Sequence, residues 1–110
     1  MSRYRTRVRL TGTLPGKLVI VKPIPVIVFT NTDFVDAIQP GTYLYSAGHH
    51  TKGEALAGLR REIVLALKYL QEEEVDDTLS RHMHAAEMSQ LEYLREHIAP
   101  QGSERAKKRG

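Results

Sequence analysis

The chain opens on a strict alternation. Arginine holds the odd positions Arg3, Arg5, Arg7 and Arg9, and Tyr4, Thr6, Val8 and Leu10 hold the even ones. A period of two predicts a β-strand with one wet face. Thr11 to Gly16 supplies turn residues, and Lys17-Leu18-Val19-Ile20-Val21 is a β-branched apolar run that predicts a second strand. Pro23 and Pro25 then mark an edge, a bend or a strand start, because proline cannot donate to a sheet ladder. Val26 to Phe29, Phe34 to Ile38 and Thr42 to Ala47 predict three further strands, separated by Asn31-Thr32-Asp33 and by Gln39-Pro40-Gly41.

The period changes after Gly48. Thr51-Lys52-Gly53-Glu54 is a capping box, in which the threonine hydroxyl accepts from the amide three residues on. Leu56, Leu59, Ile63, Ala66, Leu67 and Leu70 follow at spacings of three and four, so a helix is expected over about 52–73. Asp77 or Thr78 is placed to cap a second helix reaching about Ile98, with Leu79, Met83, Ala86, Leu91, Leu94 and Ile98 on its apolar side. The spacing slips near Ser89, which allows a kink, and Pro100 ends the segment. Strands first and helices afterwards predict an α+β domain: an antiparallel sheet of about four to five strands, with two helices packed on one face.

Composition narrows the chemistry. The 110 residues suit one domain, and without cysteine there is no disulfide, thiolate zinc site or thiol nucleophile. No signal-type or membrane-spanning apolar stretch is visible, so a cytoplasmic, membrane-free protein is expected. The net charge of +3 hides a polarity: the N-terminal arginines carry +4, the tail from Gln101 carries +3, and the body from Leu10 to Pro100 carries −4. An acidic body suits a basic protein partner. Residues 1–100 read as a single domain, and 101–110 as a disordered basic tail.

The order of parts from residue 22 to 73 resembles the HicB family of antitoxins. The parts are Pro25 to Phe29, the acidic turn Asn31-Thr32-Asp33, Phe34 to Ile38 with Pro40-Gly41, Tyr43 to Gly48, and the helix start Thr51-Lys52-Gly53-Glu54-Ala55-Leu56. The resemblance implies a truncated RNase H-like fold. It also implies a partner of the HicA type, a small basic RNA-cleaving toxin that the antitoxin inhibits by covering it, and self-association. This chain departs from the family pattern at His49-His50, which is one residue longer than the usual link, and in its extra N-terminal strand region 1–21. After residue 73 there is too little chain for a complete DNA-binding module.

A non-catalytic binding domain is therefore expected, with no cofactor and no metal. The acids Asp33, Asp36 and Glu54 are too loosely spaced for two-metal chemistry, and His49/His50 and His82/His84 lack the i, i+4 spacing of a helical zinc pair. Partner contacts are expected at Asp33, Asp36, Tyr43, Tyr45, Glu72, Glu73 and Asp76. Arg3, Arg5, Arg7 and Arg9 suit phosphate or a carboxylate-bearing surface, which leaves a stand-alone nucleic-acid-binding protein as the alternative. Leu91, Tyr93, Leu94 and Ile98 offer more apolar surface than one terminal helix needs against a sheet, so a homo-oligomer is expected to use them.

Overall fold

The computed structural model describes residues 4–76 and 83–107. The strands are β1 (Tyr4–Leu10), β2 (Thr13–Leu14), β3 (Leu18–Ile20), β4 (Ile24–Thr30), β5 (Val35–Gln39), β6 (Leu44–His49) and β7 (Ile98–Pro100). The helices are α1 (Lys52–Val75), α2 (Ala85–His97) and the single turn α3 (Glu104–Lys107). The coarse α+β expectation holds. Four strands make one antiparallel sheet in the order β1-β4-β5-β6, while β2, β3 and β7 make a second sheet that the sequence does not announce.

The arginine strand is an integral part of the main sheet. β1 pairs with β4 along its whole length, from Tyr4 opposite Thr30 to Leu10 opposite Ile24. Alternation then sorts the side chains by face. Val8 and Leu10 turn inward with Ile24, Val26, Val28, Val35 and Ala37, and all of these join the core. Arg5, Arg7 and Arg9 turn outward, opposite Phe29, Ile27 and Pro25. The β4–β5 turn has no glycine, and Asn31 replaces one: its Oδ1 accepts from the amides of Asp33 (3.0 Å) and Phe34 (2.8 Å).

α1 begins where the capping box places it, with the Glu54 amide donating to Thr51 Oγ1 at 3.1 Å. Its apolar stripe, Ala55, Leu59, Ile63, Leu67 and Leu70, is buried against the inner face of the sheet. The helix comes down onto β6 at Gly58, where a Cβ would collide with Ser46 Oγ and crowd the His49 ring. On its opposite flank Arg60 donates to the carbonyls of Thr13 (3.1 Å) and Thr11 (3.0 Å), tying the helix to the β1–β2 connection.

The C-terminal third departs from the sequence reading in three ways. Met83 and His84 are not helical, and α2 starts afresh at Ala85 and runs without a break past Ser89. The cap positions Asp77 and Thr78, with Leu79 and His82, lie outside the described residues. Ile98 leaves the helix as a strand residue, because β7 pairs with β3 through Ile98–Ile20, Ala99–Val19 and Pro100–Leu18. The expected disordered tail is partly ordered: Arg105 donates to the end carbonyls of α2 at Arg95 and Glu96 (2.6 Å for Glu96). Those carbonyls have no intrahelical donor, and a cation is favoured at that end of the dipole. Lys108 and Arg109 lie outside the described residues.

The apolar side of α2 is used up by this arrangement. Leu91, Leu94 and Ile98 are 2%, 0% and 3% exposed, and Tyr93 is half-buried. They were expected to form an oligomer surface. The second sheet and α1 supply the packing that one sheet alone would not, so these residues belong to the monomer's own core.

Candidate functional site at the open sheet face and the β6 margin

Among the described residues, the helix that packs on the main sheet covers one face of it. The sheet's outer face carries Arg5, Arg7 and Arg9 on β1, Pro25, Ile27 and Phe29 on β4, Asp36 and Ile38 on β5, and Tyr45 on β6. Ile27, Phe29 and Ile38 are only half-buried. The apolar residues thus form a band between an arginine edge and a tyrosine edge. A shallow depression of about 630 Å³ lies over the arginine side, lined by Arg7, Arg9, Pro25, Ile27 and Pro40 among others.

The tyrosine edge is held by a buried polar network. Gln39 is fully buried, and its Oε1 accepts from the Thr42 amide at 2.6 Å. Its Nε2 donates to the Pro25 carbonyl (3.0 Å) and to the Tyr93 hydroxyl (2.9 Å). Gln90 Nε2 donates to the Thr42 carbonyl at 2.7 Å, so α2 grips the same turn. The Tyr93 ring lies on Gly41, where a Cβ would overlap it, and stacks on His97 with centroids 4.1 Å apart. Burial pushes the Tyr93 hydroxyl above the usual phenol range.

The product of this grip is Tyr43. Its backbone is left-handed (φ 61°), and its side chain is 79% exposed at the tip of the turn. A bulky residue in that region is uncommon and costs about 1–3 kcal/mol. Tyr45, two residues on, is 65% exposed. Together they make a rigid aromatic margin on β6. Sequence alone gives the two tyrosines as candidates; it gives no sign of Gln39 or Gly58, which fix the geometry behind them.

The other expected contacts divide. Asp33 lies exposed in the β4–β5 turn. Asp36 shares the outer face with Tyr45, and its Oδ1 accepts from the Gly48 amide at 2.8 Å, which holds the irregular end of β6. Glu72, Glu73 and Asp76 lie at the C-terminal end of α1, in the layer behind the sheet. There Glu73 engages the Tyr69 hydroxyl and raises its pKa. Arg5, Arg7 and Arg9 share one face; Arg3 lies outside the described residues. Among the described residues no group of three His, Asp or Glu side chains is placed to hold a metal ion, and no helix is long and apolar enough to cross a membrane.

The chain matches no protein-family model, no curated protein and no solved structure.

Proposed function

We propose that this chain is a non-catalytic protein-binding domain, an antitoxin of the HicB-like kind that covers a small basic RNA-cleaving protein. The observation that carries the reading is the β6 margin, where Tyr43 is held at positive φ and exposed beside Tyr45. Tyrosine brings contact area with little rotamer entropy to lose, and rigid aromatics are typical anchors of interfaces. The meander β4–β5–β6 running straight into α1 supports the family resemblance. Charge supports the side of approach: the β6 margin is the sheet edge remote from the arginines, and Glu62 of α1 lines the groove beside it.

The test is biochemical. The tagged chain, recovered from its own cells after nuclease treatment, brings down a stoichiometric small basic protein. That protein cleaves RNA alone and stops when the chain is added back. Tyr43→Ala with Tyr45→Ala weakens inhibition by about 100-fold, a double loss of hot-spot size. Recovery of the bait alone overturns the reading.

A second reading rests on the opposite edge. Arg5, Arg7 and Arg9 are spaced by alternate strand positions, about 7 Å apart, beside Ile27 and Phe29. A basic row next to an aromatic suits single-stranded nucleic acid. Binding of that kind falls steeply with salt, and its absence at low salt excludes this reading.

A further inference from the structure

The edge of β6 is not closed by any described strand, since β6 is last in the sheet and pairs only with β5. Its six residues, Leu44 to His49, include no Asp, Glu, Lys, Arg or Pro, the residues that usually guard an edge. A groove of about 530 Å³ runs beside it, lined by Tyr43, Leu44, Tyr45, Ser46, Ala47 and His49 on one wall and by Glu62 of α1 on the other. Gly58 lets α1 settle onto Ser46 and His49, and Glu62, one turn on, lines the groove. Leu65 and Tyr69 continue the Glu62 flank at helical spacing and are 60% and 59% exposed.

We propose that this groove takes an extended peptide segment of the partner as an added strand next to β6, with basic side chains directed to Glu62 and apolar ones to the tyrosine margin. The inference rests on the reading of the chain as a protein-binding domain and adds the mode of binding. Strand addition draws affinity from main-chain hydrogen bonds and selectivity from pockets for alternate side chains. Among the described residues Glu62 is the only Asp, Glu, Lys or Arg side chain lining the groove, which sets the sign of the occupant. A second copy of this chain fits poorly. Pairing β6 with its own two-fold mate would bring a second α1 to within about 5–10 Å of the first, at or below helix packing distance. Glu62, Leu65 and Tyr69 already stand on that flank.

The test uses the full chain and two blocked eight-residue probes, one alternating valine with lysine and one alternating valine with glutamate. The lysine probe binds about tenfold tighter and slows amide exchange along β6, while β1 is unaffected. Glu62→Lys reverses the preference, and Tyr45→Lys, which places a charge on the edge strand, weakens both probes. No protection of β6, protection of β1 instead, or an unchanged preference in Glu62→Lys overturns the proposal. So does a doubled sedimentation mass with β6 amides protected in the absence of probe, which assigns the edge to a second copy. Capture of an inhibited basic nuclease that is indifferent to Glu62→Lys overturns the groove and keeps the antitoxin reading. Charge-selective probe binding without any such nuclease does the reverse.

Discussion

The two edges of the main sheet are protected by different means. β1 carries an arginine at every outward position, so a second β1 laid beside it would meet like charge across the seam. β6 has no Asp, Glu, Lys or Arg, and α1 packs against it at Gly58; its pairing with β5 is irregular towards the end, where the register shifts between Val35 and Ala37. Charge guards one edge along its whole length; a bulge interrupts the other only near its end, beside the groove that Glu62 lines. A strand is added more readily where no charge opposes it. The same sheet therefore has a charged edge at one side and an edge without Asp, Glu, Lys or Arg at the other.

The largest effect is expected where α1 meets β6. Gly58→Val puts a branched side chain into the contact with Ser46 and His49, both of which are held by a 2.6 Å hydrogen bond between Ser46 Oγ and His49 Nε2. Overpacking of this kind costs about 1–3 kcal/mol, and the helix has no room to yield sideways with Ala55, Leu59 and Ile63 buried beside it. Urea unfolding is expected to show the loss at the upper end of that range. A change under 0.5 kcal/mol would mean that α1 does not sit on β6 through this glycine, and the contrast between the edges would collapse (such a value is typical of surface sites).

Next comes the network behind the tyrosine margin. Gln39→Leu removes the acceptor of the Thr42 amide and the donor to Tyr93 and the Pro25 carbonyl. Buried groups left without partners cost about 1–3 kcal/mol. The variant is expected to lose about 2 kcal/mol and to free the turn that holds Tyr43. The second consequence is the sharper one: binding at the β6 margin should weaken even at temperatures where the variant is fully folded. Stability lost with binding intact would separate the network from the margin.

These two sites also show where sequence reading stops. The alternation of Arg5, Arg7 and Arg9 with Val8 and Leu10, and the Thr51 cap ahead of Leu59 and Ile63, are local patterns whose period states which face is buried. Gly58 and Gln39 carry no such pattern. A glycine inside a helix and a glutamine ahead of Pro-Gly acquire their roles only when Ser46 and Tyr93 arrive from elsewhere in the chain. β7 was hidden for the same reason. Ile98-Ala99-Pro100 is three residues long and continues a helical pattern, and only Leu18 to Ile20, nearly eighty positions earlier, make it a strand. The misplaced oligomer surface follows from this, since Leu91, Leu94 and Ile98 look surplus until the second sheet is present. Of the expected contact residues, Asp36 and Tyr45 are candidates from charge and exposure, and that they share a face follows only from the register of β5 and β6. The separation of Glu72, Glu73 and Asp76 from that face depends on the layering and was not.

The arginine edge predicts a smaller energetic effect with a different readout. Arg5→Thr, Arg7→Thr and Arg9→Thr together remove exposed charges, so unfolding free energy should move by no more than about 0.5 kcal/mol. Association should rise, because an uncharged β-branched edge invites pairing. Light scattering on the triple variant is expected to show concentration-dependent assembly beyond the parent's own state. A variant that stays in the parent's state would mean that the arginines are not the guard of β1, and their function would then lie in the open face alone.

The smallest effect concerns what neither edge uses. Two exposed ion pairs fasten α2: Glu74 with Arg95 at its α1 side, and Glu96 with Lys22 at the β3–β4 connection, the latter at 2.6 Å. The Arg95 guanidinium holds the Glu74 carboxyl below its ordinary range, and the Lys22 ammonium does the same for Glu96. A carboxyl whose folded pKa is lowered contributes stability that is fully present above the unfolded value of about 4.3 and lost as pH falls through the folded value. The contribution of these two pairs should therefore be constant from neutral pH to about 5 and decline below it, by a small amount because exposed pairs are screened. Glu74→Gln with Glu96→Gln removes both groups and should flatten the part of the acid slope they supply, while high salt should shrink it in the parent. Both pairs hold α2 and leave β1 and β6 untouched, so binding at the β6 groove should have the same affinity in this double variant as in the parent. A groove affinity that fell together with these two carboxyls would tie the margin to α2 through the Gln90–Thr42 contact, and the independence of the two edges would then be lost.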